Sequence, residues 1–167
     1  MAPGRSWREG NRRPGGIPGA EHLLTSSEFL ELDALPPRIA FVGGGFISFE
    51  FAHFAARLGP AEEIYILEAA ARPLGPFDAQ MADQLTAASK AEGIRLHTEV
   101  AISGIEKTSE GYSIHTEGGE DYSVDMVVHG AGRVPAIEGL ALESAGVARE
   151  RKGITVDRKI DRKSTRL

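Results

Sequence analysis

Residues 38–59 read RIAFVGGGFISFEFAHFAARLG, and the three glycines at their centre are the positions best suited to chemistry. Gly43 can turn the backbone sharply off the apolar run 39–42, and Gly45 lets backbone N–H groups approach an anion with no Cβ in the way. Gly44 lies between them, and an apolar stretch with helical spacing follows at once through Phe46, Ile47, Phe49, Phe51, Ala52 and Ala55. The first turn of such a helix offers unpaired N–H groups and the positive end of its dipole. This order of strand, glycine turn and helix suits phosphate. The spacing Gly43-x-Gly45-x-x-Ser48 matches a dinucleotide fingerprint, with Ser48 where glycine or alanine is usual and small enough for close helix–strand packing.

A second apolar run, residues 64–67, ends in Glu68. A carboxylate at the tip of the second strand of a βαβ unit can accept hydrogen bonds from the hydroxyls of an adenosine ribose. Glycine turn and acid together predict a site for the adenosine and pyrophosphate of a dinucleotide.

Composition narrows the remaining choices. A chain of 167 residues, 41% hydrophobic, can bury one core, and a net charge of −5 without a basic stripe argues against a nucleic-acid partner. Cysteine is absent, so the chain itself carries no disulfide, thiolate metal site or redox dithiol. His22, His53, His97, His115 and His129 have no metal-ligand spacing, and no metal is expected. No apolar run is long enough to cross a bilayer, the arginines near the start precede no apolar leader, and a cytoplasmic location is the expectation.

The elements that must hold these residues can be laid out in order. Residues 1–20 are rich in Gly, Pro and Arg and read as a flexible lead-in. Residues 21–37 form a connector in which Thr25-Ser26-Ser27-Glu28 has capping-box spacing for a brief helix over 26–32, ended by Pro36 and Pro37. After the second strand comes the loop 72–77, and Asp78 is the expected N-cap of a helix through about Glu92, with Met81, Leu85 and Ala88 on its buried side. A third strand spans 94–98. Short alternating segments at 101–107, 112–116 and 122–124, separated by turn signals, then predict an antiparallel meander where a crossover helix would ordinarily stand. Residues 125–129 are the fourth parallel strand. They end in Gly130-Ala131-Gly132-Arg133-Val134-Pro135, a second glycine turn expected to face the same crevice as the first. The fold class is α/β, a Rossmann-like doubly wound parallel sheet with an antiparallel β-meander in place of one crossover helix.

GGGFISFE, the acidic strand tip, the Phe77-Asp78 pair, the meander and GAGRVP, in this order, resemble the NAD(P)-binding domain of the pyridine nucleotide-disulfide oxidoreductases. That family includes dihydrolipoamide dehydrogenase, glutathione reductase and mercuric reductase. The resemblance covers roughly residues 17–156, and the segment before Arg38 is similar to the family's connector between its FAD and NAD(P) domains. It implies an NAD(P)-binding domain over 38–156. By the same resemblance, Gly43, Gly44, Gly45, Phe46, Ile47, Ser48 and Glu50 hold the pyrophosphate and line the nicotinamide side. Phe46 stands where an aromatic ring shields the flavin. Glu68 binds the adenosine ribose, the backbone at Val100 touches the adenine, and Gly132 approaches the cofactor at the last strand. None of these is expected to act as nucleophile or general base.

Charge at Glu68, followed by Ala69, Ala70 and Ala71 rather than arginines, favours NADH over NADPH, with Arg72 the one residue able to reverse that preference. The family's complete enzymes also carry an FAD-binding domain with a redox cysteine pair and a dimerisation domain. The chain is therefore expected to be a fragment of a larger, homodimeric flavoenzyme. Residues 161–167 match the translation of a sequencing-adapter stretch, so residues 157–167 are expected to be a non-native tail. The expected role is to position NAD(P)H for hydride transfer to the FAD of the parent protein. Two other classes pair a glycine turn with an acidic strand tip. One is a methyltransferase domain using S-adenosylmethionine, against which the meander and GAGRVP count. The other is a binding module that keeps the pocket without the reaction.

Overall fold

The computed structural model describes residues 16–59, 61–132, 137, 140–150 and 153–155. Residues 1–15 of the lead-in expected over 1–20, the end of the second glycine turn at 133–135 and the tail at 157–167 lie outside the described residues, while residues 16–20 are tied down, Ile17 and Ala20 packing on the core and the Pro18 carbonyl accepting from the Ile105 N–H at 2.9 Å. The chain divides into two compact units, one of residues 13–132 and one combining 1–12 with 133–167.

The larger unit is built on a four-stranded parallel sheet. Its strands are β1 (Arg38–Val42), β2 (Glu63–Leu67), β3 (Ile94–His97) and β7 (Met126–His129), in the order β3-β2-β1-β7. Between them run α2 (Phe46–Leu58) and α3 (Ala79–Ala91), preceded by the short helix α1 (Ser26–Leu30). Thr25 closes the expected capping box, its Oγ1 accepting from the Glu28 N–H and the Glu28 carboxylate accepting from its own N–H. The meander is a separate antiparallel sheet of β4 (Ile102–Thr108), β5 (Gly111–Thr116) and β6 (Tyr122–Val124), with a bulge between Ile102 and Gly104.

Alternation along the strands explains the layering. Ile39 and Phe41 point to one side with Ile64, Ile66 and Val128, where α2 supplies Phe49, Phe51, Ala52 and Ala55. Ala40, Val42, Leu67 and Val127 point to the other, where Ile105, Ile114, Tyr122 and Val124 of the meander meet them. A strand buried on both faces reads as a continuous apolar run, which is how residues 39–42 read. Both long helices therefore lie on one face of the parallel sheet, and the meander covers the opposite face.

The α3 helix differs from its sequence pattern. Met81 is 65% exposed and Leu85 37%, Ala88 is exposed as well, and the buried residues are Ala82 and Ser89. Small side chains let the helix approach closely. Ser89 donates to the Leu85 carbonyl (2.8 Å) and meets His53 Nε2 of α2 at 3.0 Å, so a polar contact fixes the face that amphipathic spacing assigned to Met81 and Leu85.

Two other tethers were not legible as elements. Leu24 forms a parallel bridge with Val128, and the exchange of Leu24 N–H to Val127 O (2.8 Å) and His129 N–H to Leu24 O (2.7 Å) makes the connector a short outer rung beside β7. On the meander side, Tyr122 Oη donates to Glu120 (2.9 Å) and meets His97 Nδ1 at 2.8 Å, while burial pushes the phenol up to about 12. In the smaller unit Leu142 and Val147 are buried, and β8 (Arg149–Glu150) pairs with β9 (Gly153–Ile154) as a hairpin.

The end of the sheet opposite the glycine turn is held by charge. Arg38 Nη2 lies 2.6 Å from Asp125 Oδ1, and the Arg38 backbone N–H donates to Oδ2 at 2.9 Å. The hydrogen bond from the Arg38 side chain holds the Asp125 carboxyl below the usual carboxylate range, against the opposing effect of burial. A depressed native pKa contributes stability that is complete above the unfolded value near ~4 and is lost as pH falls through the native value. Asp125→Asn should thus lower the melting temperature at pH 7, and the gap to the parent chain should narrow below about pH 4. Thermal melts from pH 7 to pH 3 check this, and a gap independent of pH would reject it.

Candidate functional site

The carboxyl ends of β1, β2 and β7 meet the N-terminus of α2. Gly43 leaves β1 with φ +96° and donates its N–H to the Leu67 carbonyl at 2.8 Å. Gly45 caps α2 with extended backbone, no side chain caps this terminus, and no acidic residue stands in the first turn. The N–H groups of Phe46, Ile47 and Ser48 therefore have no partner within the helix. They form the positive, donor-rich end that suits an anion.

Glu68 is the joint between this turn and the next strand. One carboxylate oxygen accepts from the Gly44 N–H and the other from the Ala70 N–H at 2.7 Å. Its backbone is fixed too, with its N–H on the His97 carbonyl and its own carbonyl taking the Val100 N–H, both at 2.9 Å. A carboxylate has about four lone-pair positions, so the two that remain can take the hydroxyls of a ribose. Gly44 is enclosed by the same group, since a Cβ there would lie 2.8 Å from Glu68 Oε2 and 2.9 Å from Pro73 Cβ.

The two glycine turns pack back to back. A Cβ on Gly43 would come within 2.5 Å of Ala131 Cα, and one on Gly45 within 3.1 Å of the Gly130 carbonyl. Ser48 is fully buried against Gly130, whose hypothetical Cβ would sit 1.8 Å from Ser48 Oγ. That hydroxyl has no hydrogen-bond partner among the described residues. Gly130 is what makes room for serine at the third fingerprint position. Gly130→Ala should be strongly destabilising alone and clearly less so in a Ser48→Gly background. A double-mutant cycle by urea unfolding measures the coupling, which should be about 1 kcal/mol or more, and additive effects would contradict it.

Arg72 lies with its own loop. Its Nη2 donates to the Gly75 carbonyl (3.0 Å) and the Phe77 carbonyl (3.4 Å), so the guanidinium braces residues 72–77. That loop is tied back to the glycine turn by the Leu74 N–H on the Gly44 carbonyl (2.8 Å).

Of the residues expected at the site, Glu68 is bonded to Gly44 of the turn 43–45 and to Val100, while Ser48 is buried against Gly130 rather than against Glu68. Phe46 and Ile47 open α2, Phe46 being 49% exposed. Glu50 is exposed on α2 and makes no described polar contact, and Gly132, at φ +102°, has open space where a Cβ would stand. Gly130, Ala131, Arg72 and Phe77 were not assigned to the site. The signal for the first two was the second glycine turn. Among the described residues no group of three or more His, Asp or Glu converges as a metal cluster, and no helix is long and apolar enough to cross a membrane.

Residues 1–166 match the family model described as pyridine nucleotide-disulphide oxidoreductase. The chain belongs to this family. Glutathione reductase of Schizosaccharomyces pombe is 36% identical over 145 residues, 86% of this chain and 31% of that protein. Dihydrolipoyl dehydrogenase of Chlamydia pneumoniae is 32% identical over 139 residues, 83% of this chain and 30% of that protein. Among solved structures, the HOCl-induced flavoprotein disulfide reductase RclA of Escherichia coli superimposes with a TM-score of 0.79 at 28% identity, covering 93% of this chain and 36% of that one. The chain thus spans about a third of the length of these relatives, and it is one part of a protein of the pyridine nucleotide-disulphide oxidoreductase family.

Proposed function

We propose that residues 38–132 form the core of the dinucleotide-binding domain of an FAD-dependent NAD(P)H oxidoreductase, with 21–37 as the connector from a flavin domain. The observation that carries this reading is the Glu68 carboxylate, bonded to Gly44 of the anion-binding turn and still possessing free lone pairs. In this reading the free N–H groups at the start of α2 take the pyrophosphate, Glu68 takes the adenosine ribose, and the backbone near Val100 borders the adenine. Gly132 and Phe46 border the nicotinamide half, and Glu50 lies toward it. The nicotinamide, when bound, supplies the hydride that passes to the flavin, and the protein supplies position and electrostatics.

The donor set fits this group. The turn has backbone donors, no first-turn acid and a separate carboxylate for hydroxyls. NADH is favoured over NADPH for two reasons. A 2′-phosphate would meet the charge of Glu68, and Arg72, the nearby cation that could offset it, is held by Nη2 on the carbonyls of Gly75 and Phe77, its Nη1 being without a partner among the described residues. The terminal electron acceptor and a homodimeric state would belong to the parent protein.

Thermal melts of the chain with NADH, ADP-ribose or S-adenosylmethionine test the reading. A ligand that binds only the folded state raises the midpoint with concentration. NADH and ADP-ribose should both do so, and a shift with S-adenosylmethionine alone would replace this proposal by the methyltransferase one.

A further inference from the structure

Leu74 is buried, yet its φ is +54°, a left-handed conformation that costs an L residue free energy and persists only where the surroundings impose it. The bonds that impose it run in both directions. The Leu74 N–H donates to the Gly44 carbonyl at 2.8 Å, and the Leu74 carbonyl takes the Phe77 N–H at 2.8 Å. Arg72 Nη2 then closes the loop on the carbonyls of Gly75 and Phe77. Pro73 packs on the same turn, its Cβ 2.9 Å from where a Gly44 Cβ would stand. The one strained residue of this loop therefore holds the carbonyl of the central glycine of the anion turn.

That contact acts on the next donor along the chain. A trans peptide is planar, so the carbonyl of Gly44 and the N–H of Gly45 point in opposite directions. By holding the carbonyl, Leu74 aims the Gly45 N–H away from the loop, and that N–H donates to no described residue. Glu68 fixes the preceding peptide in the same manner through the Gly44 N–H. Resting on the dinucleotide reading above, we propose that the loop 72–77 is a strut that presets the Gly44–Gly45 peptide for the pyrophosphate, and that Arg72 is the positioning residue that keeps the strut closed. Arg72 does this through the carbonyls of its own loop and without touching the ligand. When its side chain is removed, Leu74 relaxes from the left-handed conformation, the Gly44 carbonyl is released, and the Gly45 N–H has to be ordered anew each time a phosphate binds. Adenosine, which reaches Glu68 but carries no phosphate, makes no use of that peptide.

The experiment is an amide-resolved NMR titration of the 167-residue chain with ADP-ribose and with adenosine, for the parent, Arg72→Ala and Leu74→Gly, with thermal melts to confirm folding. Each variant should weaken ADP-ribose by about tenfold, the worth of one hydrogen bond to a charged group, and leave adenosine within about twofold. The Gly45 amide signal should move with ADP-ribose in the parent and less in both variants. Because no ion pair with the ligand is involved, the loss in Arg72→Ala should be the same at low salt and at about 0.5 M salt. A loss that vanishes at high salt, or one that Leu74→Gly does not share, would mean that Arg72 meets the phosphate directly and would overturn the strut. An equal loss for adenosine would overturn it too, and in each case the dinucleotide site still stands. Should Leu74→Gly not fold, Arg72→Ala decides alone through its salt dependence and its adenosine control. Failure of the folded parent chain to bind either ligand would overturn the dinucleotide reading and this inference with it.

Discussion

Gly43→Ala is expected to destabilise the chain by about 3 kcal/mol and to remove measurable NADH binding. Two effects act together on stability. At φ +96° an L side chain is strained by about 1–2 kcal/mol, and the new Cβ would lie 2.5 Å from Ala131 Cα and 2.7 Å from its nitrogen. Those are backbone atoms of the second glycine turn and cannot rotate away, so overpacking of about 1–3 kcal/mol is added. The binding loss follows from geometry. Gly43 sets the exit from β1, and pushing it from Ala131 shifts Gly44 and Gly45, on which the anion site depends. Urea unfolding and calorimetric titration with NADH check both parts. A variant of native stability that still binds would show that the two turns can separate freely.

Gly19→Ala should destabilise by a similar amount, about 3 kcal/mol, yet leave the affinity of the remaining folded protein for NADH unchanged. Gly19 has φ +80°, and a Cβ there would lie 1.7 Å from the Ile105 carbonyl oxygen and 2.7 Å from its carbon. The end of the lead-in runs against β4 at this point, with the Ile105 N–H donating to the Pro18 carbonyl at 2.9 Å. Alanine would force this rung apart and strip residues 17–20 from the meander. The fall in melting temperature should be roughly 10 °C for a domain of this size, and the contrast with Gly43 separates a tether from a binding turn. A fall of a degree or two would mean that this tether contributes little.

These glycines show which parts of the structure the sequence disclosed. The anion turn was legible because three effects coincide in adjacent residues: an apolar run that ends, glycine with no Cβ, and a helical period that begins. The meander was legible because alternation and turn residues recur on a short scale. The orientation of α3 was not, because Met81, Leu85 and Ala88 satisfy the apolar period while the packed face, Ala82 and Ser89, is chosen by close approach and the contact with His53. Hydrophobic periodicity registers area and is blind to small residues that pack because they are small. The bridge of Leu24 to Val128 was hidden for another reason, since a single rung has no period at all. Within the site, the double anchoring of Glu68 depends on loop shape, and its ribose role could be anticipated only from its place at a strand tip. Gly130 as the socket for Ser48 joins two turns far apart in sequence, a relation that no local pattern contains.

Whether Glu68 and the glycine turn hold a dinucleotide is tested most directly by a fluorescence titration of the folded chain with NADH and NADPH, alongside Glu68→Ala. The prediction is saturable NADH binding, NADPH binding at least about tenfold weaker, and in Glu68→Ala a loss of NADH affinity together with most of the discrimination between the two. Absence of NADH binding to the folded chain, or a Glu68→Ala variant that binds both nucleotides as the parent does, would contradict it.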